Sequence, residues 1–250
     1  KVMSEKQVES LLDAPDLGAL SAYVADRLGA LPGVRSVHTH LGNELLVDGA
    51  NWRLRALTPS QVAAIPAPRP PRPRAAHHVP DDLRAAIERE TWLDGRVKIS
   101  TIAERSGFAP QRVADALATL RSTDALRFRT DMARAASGWP IYTWYFVEAP
   151  ARTVQAAAAS IVAVPEVRLA LTAASRYNLI LAVWLRNLSE VNRFEIALEN
   201  ALAGSRIADR AVVMRIAKHL AHTIGSDSRA AGIVPAVYGV VERDGRPEGR

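Results

Sequence analysis

The stretch Ile99-Ser100-Thr101-Ile102-Ala103-Glu104-Arg105-Ser106-Gly107-Phe108-Ala109-Pro110-Gln111-Arg112-Val113-Ala114-Asp115-Ala116-Leu117 decides how this chain is read. Ala103 is small enough to let two helices approach closely. Gly107 can take the left-handed backbone that ends a helix in a tight turn, a conformation that residues with a Cβ resist. Pro110 suits the first turn of a following helix, where its missing amide costs no hydrogen bond. Val113, Leu117 and Leu120 then share one face at helical spacing. The spacing predicts helices near 99–106 and 110–121. Two short helices joined by a glycine turn are a way of presenting the second helix to a DNA major groove.

The flanks extend this motif. Val79-Pro80-Asp81-Asp82 opens a helix running to about Arg89, with its aspartates at the positive end of the helix dipole. Leu126-Arg127-Phe128-Arg129-Thr130 alternates apolar and polar side chains, which predicts a short wing strand. Upstream, Pro66-Ala67-Pro68-Arg69-Pro70-Pro71-Arg72-Pro73-Arg74 reads as an extended, solvated spacer, because proline lacks the amide donor and favours polyproline geometry.

From Trp139 onward the pattern changes. Ile141 to Val147 is β-branched and aromatic, hence a strand. Ala151 to Val164 is helical and stopped by Pro165. Val167 to Ala173 and Leu179 to Leu185 are strands separated by Ser175-Arg176-Tyr177-Asn178. Ser189 to Leu202 is helical, with Ser189 as N-cap and Val191, Phe194, Leu198 and Leu202 along one side. Gly204 ends it, and Ile207 to Ala217 is a fourth strand. The order β-α-β-β-α-β is that of the ferredoxin-like unit. The aromatic run Tyr142, Trp144, Tyr145 and Phe146 reads as a sheet packed on helices or on a partner sheet, in preference to a base-stacking platform. Beyond about residue 224 the chain reads as a loosely held tail, with Ile233 to Val241 as a possible added strand.

A second such unit shows at the front. Leu17 to Leu31 predicts a helix with Leu20, Val24, Leu28 and Leu31 on one side, followed by Pro32-Gly33-Val34-Arg35 and a strand over Ser36 to Leu41. This parallels Leu188 to Leu202, Gly204, Arg206 and Ile207 at an offset of about 171 residues. On this reading the chain, which starts at Lys1, begins inside a first copy whose winged helix is missing, and Gln7 to Leu12 is that copy's third strand.

Composition narrows the class. The 250 residues are 48% hydrophobic and 23% charged with a formal charge of +6, a soluble make-up with a mild preference for anionic partners. There is no cysteine, hence no disulfide framework, thiolate metal site or cysteine nucleophile. No apolar run approaches the ~18 residues of a membrane span, and no signal peptide is visible. No glycine-rich phosphate loop, nucleophile elbow or paired-carboxylate motif occurs, so the reading is not an enzyme and has no cofactor. His38 and His40 share one side of the expected strand but have no third ligand near in sequence. His77, His78, His219 and His222 suggest no metal site either.

Several ordered motifs carry a resemblance. They are Asp94-Gly95-Arg96; Ile102-Ala103-Glu104 with Gly107 and Val113; Gly138-Trp139-Pro140; Pro165-Glu166-Val167; Asn178-Leu179 with Trp184-Leu185; and Asp209-Arg210-Ala211-Val212-Val213-Met214-Arg215. In this order they resemble the leucine-responsive (Lrp/AsnC, feast/famine) regulators, and the duplicated layout resembles tandem members of that family. The resemblance implies an α+β chain: residues 1–58 the latter part of a first ferredoxin-like sensor domain, 59–79 a Pro/Arg-rich linker, 80–136 a winged helix-turn-helix, 137–222 a ferredoxin-like sensor and dimerisation domain, and 223–250 a C-terminal tail. It implies a cytoplasmic transcription regulator that binds double-stranded DNA. Its sensor domains would form a homodimer or higher homo-oligomer, and an amino acid or related metabolite would act as effector. DNA contacts then fall to Lys98, Gln111, Arg112, Thr119, Arg121, Arg127 and Arg129, and effector contacts to Ser175, Arg176, Tyr177 and Asn178.

Some positions depart from the family pattern. The family often has arginines where this chain has Ala114-Asp115-Ala116, and phosphate repels Asp115. Ala109 replaces the usual Ser or Thr cap, forfeiting roughly 0.5–2 kcal/mol. Ser175 stands where the family usually has glycine, and Asn178 where it usually has aspartate, so Asn178 hydrogen-bonds without a charge. These departures support an alternative, an oligomerisation or co-regulator module whose winged helix has lost strong DNA binding. A third reading is a metabolite-binding domain attached to an enzyme.

Overall fold

The computed structural model describes residues 14, 16–66 and 78–234. The expected strand at Gln7 to Leu12, the proline spacer beyond Pro66, His77 and the stretch 235–241 lie outside the described residues. The chain divides into two compact units, one ending at Leu41 and one starting at Gly42.

In the first unit, helix α1 (Leu17–Ala22) is capped by Asp16, whose carboxylate accepts the amide of Ala19 at 2.7 Å, and continues as a π-helical stretch over Tyr23–Leu28. The helix expected to reach Leu31 thus ends at Leu28, and none of its residues is buried. The strand expected at Ser36 to Leu41 is not formed there. Ladder geometry begins only at Leu41, so His38 and His40 do not share a strand face.

The second unit opens with β1 (Leu41–Val47), whose Leu46 and Val47 pack on the main core. Helix α2 (Pro59–Ala63) follows, with a reciprocal capping box between Thr58 and Gln61. The Thr-x-x-Gln spacing is the one such a box requires. Helices α3 (Asp81–Leu93), α4 (Ile99–Ser106) and α5 (Pro110–Ser122) then enclose a core of Leu83, Ile87, Ile102, Ala103, Val113, Ala116 and Leu120. Glu90 is buried in α3 and receives Arg105 Nη1 at 2.6 Å and Arg89 Nε at 3.4 Å, so an ion pair links α3 to α4. Removing Arg105 would leave the buried Glu90 carboxylate without its nearest cation, whereas the arginine itself is exposed.

Leu126 to Thr130 is not a strand, and among the described residues no strand lies between α5 and the sheet. Alternation alone does not make a ladder; a partner must satisfy the backbone. The segment at Gly95–Arg96 is a turn. Phe128 rests against it, where a Cβ on Gly95 would lie only 3.1 Å from the ring.

Strands β2 (Ile141–Glu148), β3 (Val167–Ala174), β4 (Leu179–Leu185) and β5 (Arg206–Val212), with helices α6 (Ala151–Ala163) and α7 (Glu190–Ala201), complete the main layer. The sheet order is β1-β3-β4-β2-β5, and the pairs β2 with β4, β2 with β5 and β3 with β4 are antiparallel. Tyr145, Val147, Leu179, Leu181, Val183 and Leu185 form one core cluster with Val154, Ala157 and Ile161 of α6 and Phe194 and Leu198 of α7. Each such side chain removed from water stabilises the fold by about 1.5–3 kcal/mol. Ile180, Ala182 and Trp184 on the opposite face are buried too. With both faces covered, β4 reads as an unbroken apolar run.

Part of that second cover is Trp52, whose ring lies 5.2 Å from Trp184 and 5.9 Å from Trp139. Ser189 does not cap α7 with its side chain; it donates to Asn187 instead. The last strand stops at Val212 rather than Ala217, and Met214 is 86% exposed. Part of the segment expected to be a loose tail is paired: β8 (Ala230–Ile233) joins β7 (His222–Ile224), which pairs with β6 (Lys218–His219), beside the buried Ala221.

Candidate nucleic-acid interface

Gly107 ends α4 at φ +75°, donating its amide to Ala103 at 2.9 Å, and a Cβ there would meet nothing within 4 Å. The glycine is needed for its backbone angle, not for space. Pro110 is at the N-terminus of α5, and Ala109 provides no side-chain cap. Val113, Ala116 and Leu120 face the core, which turns Gln111 and Arg112 outward to solvent.

The outward residues are not a simple cationic face. Gln111 Nε2 donates to Asp115 Oδ1 at 3.0 Å, one helical turn on. The Thr119 hydroxyl donates to the carbonyl of Asp115 at 2.9 Å. Arg112 lies over the Phe108 ring at 5.3 Å and Arg121 over Phe128 at 5.8 Å, both guanidiniums exposed. Those two arginines lie roughly 13 Å apart along the helix at ~1.5 Å per residue. Lys98 is exposed just before α4 and caps it with no side-chain bond.

Arg127 and Arg129 are engaged by carboxylates. Arg127 meets Asp48 at 3.3 Å and Asp124 at 3.2 Å. Arg129 Nε meets Asp131 at 3.0 Å. Asp131 also accepts Arg168 Nη2 at 2.8 Å and lies 3.0 Å from His219 Nε2. Burial would raise the Asp131 carboxyl, but the His219 hydrogen bond and the charges of Arg129 and Arg168 outweigh it and hold the group well below the usual carboxylate range. The same His219 nitrogen is 2.9 Å from Arg129 Nη2. It accepts from Arg129 when it carries a lone pair and donates to Asp131 when it carries a proton. Sequence reasoning missed this cluster because Asp131 and His219 are 88 residues apart.

In the Ser175–Asn178 turn, Asn178 donates to the Ala149 carbonyl at 2.6 Å and accepts the Ala149 amide at 2.9 Å. Ser175 donates to the Tyr177 carbonyl at 2.8 Å and accepts the Tyr177 amide at 3.1 Å. Arg176 pairs with Glu148 at 3.0 Å, and Tyr177 packs on Phe146 at 5.4 Å. Hydrogen bonds from Arg206 and Arg176 hold the Glu148 carboxyl below its ordinary value. The turn is therefore tied to the end of β2. Of the aromatic run, Tyr145 lies in the helix-facing core against Phe194 at 5.2 Å. Tyr142 stacks near Trp144 and Trp184 on the other face.

Among the described residues no group of three metal-ligating side chains occurs. Among the same residues, no helix is long and apolar enough to cross a membrane. The sequence matches no known protein-family model and no curated protein. Solved structures do match. A glycine-to-threonine mutant of Rv3291c aligns over 56% of this chain and 98% of its own length, with a TM-score of 0.50 and 18% identity. Rv3291c is described as a feast or famine regulatory protein from Mycobacterium tuberculosis. A structure described only as a glutamate-to-alanine mutant gives 0.51 and 18% over 57% and 99% of the two chains. Escherichia coli AsnC gives 0.49 and 16% over 57% and 97%. Over rather more than half its length, this chain has the α+β fold of the Lrp/AsnC, or feast/famine, regulators.

Proposed function

We propose that the chain is a DNA-binding transcription regulator of the Lrp/AsnC type. In this reading α3, α4 and α5 are a helix-turn-helix unit, and β2-α6-β3-β4-α7-β5 is a ferredoxin-like domain through which copies dimerise or assemble further in the cytoplasm. The observation that carries it is the left-handed turn at Gly107, which leaves Gln111 and Arg112 exposed at the start of a helix whose other side is buried. The shared fold supports the same reading. Residues 17–28 are read as the last helix of a preceding copy.

Lys98, Arg112 and Arg121 would take backbone phosphates, which fix position without reading sequence. Gln111 would read a base edge, adenine being the partner its amide suits best, after exchanging its bond to Asp115. Thr119 is a weaker contact because its hydroxyl is already donated to the helix backbone. With Asp115 on the outer face, affinity rests on few cations and should be modest and steeply salt-dependent.

Rv3291c is described as complexed with L-methionine, and an amino-acid effector extends the proposal to this chain. Within the 175–178 turn, Arg176 and Tyr177 would make the contacts, because Ser175 and Asn178 are hydrogen-bonded to backbone. Fluorescence anisotropy of a labelled random-sequence duplex at low salt tests the main proposal. Saturable binding that weakens as salt rises supports it; no binding at any salt contradicts it.

A further inference from the structure

We propose that Arg127, Arg129, Arg168 and His219 form a second phosphate-binding strip, which the chain's own Asp48 and Asp131 mask, and that its ligand is the sugar-phosphate backbone of duplex DNA. The inference rests on the DNA-binding reading for its partner, but not on α5 making the contact.

The strip is assembled from segments far apart in sequence. Asp48 reaches Arg127 across 79 residues, and Arg168 reaches Asp131 across 37. Asp131 is held as a bound oxyanion would be: Oδ1 accepts from Arg168, and Oδ2 lies within bonding distance of both Arg129 and His219. Arginine forks bind phosphate oxygens with this same donor geometry. Asp48 is preset for its role, since its other oxygen accepts the Ala50 amide at 2.7 Å in a local turn. Asp124 shares Arg127, so three carboxylates match three guanidiniums and the strip shows no excess of positive charge as it stands.

Magnitudes make exchange feasible at Asp48; Arg168, beside Asp131, is only 15% exposed. Arg127 has a side chain 47% exposed and Asp48 one 31% exposed. Ion pairs this open contribute little to stability. Replacing Asp48 by a phosphate oxygen is thus close to neutral in contact energy, while counterion release from DNA favours it at low salt. The masking segment also carries Trp52, which seats on Trp184 and Trp139. Movement of the mask would therefore be visible in tryptophan emission.

The experiment compares the full chain with Asp48→Asn/Asp131→Asn by anisotropy on a random-sequence duplex across a salt series. The expected result is a gain of about tenfold at low salt and a slope of log K against log salt steeper by about one to two. Adding Arg127→Gln and Arg129→Gln to that variant should cancel the gain. Asp48→Asn alone, at an open site, should show part of the gain and covers the case in which the double variant fails to fold. Unchanged affinity and slope in a folded variant would overturn the proposal. So would tighter binding of inorganic phosphate by the double variant with duplex affinity unchanged, which would assign the strip to a small oxyanion. If wild type and Arg112→Ala bind alike while the double variant gains affinity through Arg127 and Arg129, the strip stands and the α5 reading falls.

Discussion

The indole of Trp52 donates a 2.9 Å hydrogen bond to the carbonyl of Pro165, 113 residues away, at the turn that ends α6 and precedes β3. Its ring packs on Trp184, and Arg168 lies over both indoles at 5.5 and 4.2 Å. A single side chain thus joins the segment after β1 to the covered second face of the sheet. Trp52→Ala should lower unfolding free energy by about 2 kcal/mol, less than for a fully buried tryptophan because this one is half-buried. Denaturant unfolding measures it; a loss under about 0.5 kcal/mol would mean that Trp52 is not an anchor.

Asn178→Ala removes both hydrogen bonds to Ala149 and should cost about 1–3 kcal/mol, chiefly by leaving partly buried backbone groups unpaired. Asn178→Asp should cost a comparable amount, since a carboxylate accepts the Ala149 amide but repels its carbonyl. Thermal unfolding of the two variants checks this. If both match wild type, the amide clamp has no structural role.

The α4–α5 turn was legible because Gly107 and Pro110 act locally through backbone angles, and β4 because an apolar run needs no partner to be recognised. The helix, strand, strand, helix order after Trp139 followed from the same local signals. The wing strand was misread because alternation says nothing about whether a second strand is present. The strand expected over Ser36 to Leu41 forms instead over Leu41–Val47 for the same reason: its place depends on its neighbour β3, which is far away in sequence. The Asp131 cluster, Trp52 and the clamp of Asn178 on Ala149 depend on contacts that only the fold brings together.

Gly107→Ala should cost about 1–2 kcal/mol through left-handed strain alone, since no neighbour would clash with the new methyl. Asn at the same position tolerates that backbone better and should recover part of the loss. Equal stability of Gly107→Ala and wild type in denaturant would mean that the turn is not strained by a Cβ.

Asp131 is held below its ordinary value of 3.8 in the folded protein. Its contribution is therefore fully present above the unfolded value and is lost as pH falls through the folded one. Stability measured from pH 6 downward should fall more steeply in wild type than in Asp131→Asn below about pH 4. At neutral pH the variant should be less stable by on the order of 1 kcal/mol, an amount limited by solvent screening of a partly exposed group. Parallel curves would remove Asp131 from the set of acid-sensitive groups.

The salt dependence of duplex binding by wild type and Arg112→Ala tests the role of α5 most directly. Arg112→Ala should bind more weakly at every salt concentration, with a slope of log K against log salt shallower by about one. An identical slope and affinity would show that the helix after Gly107 does not meet the phosphate backbone, and would contradict the account.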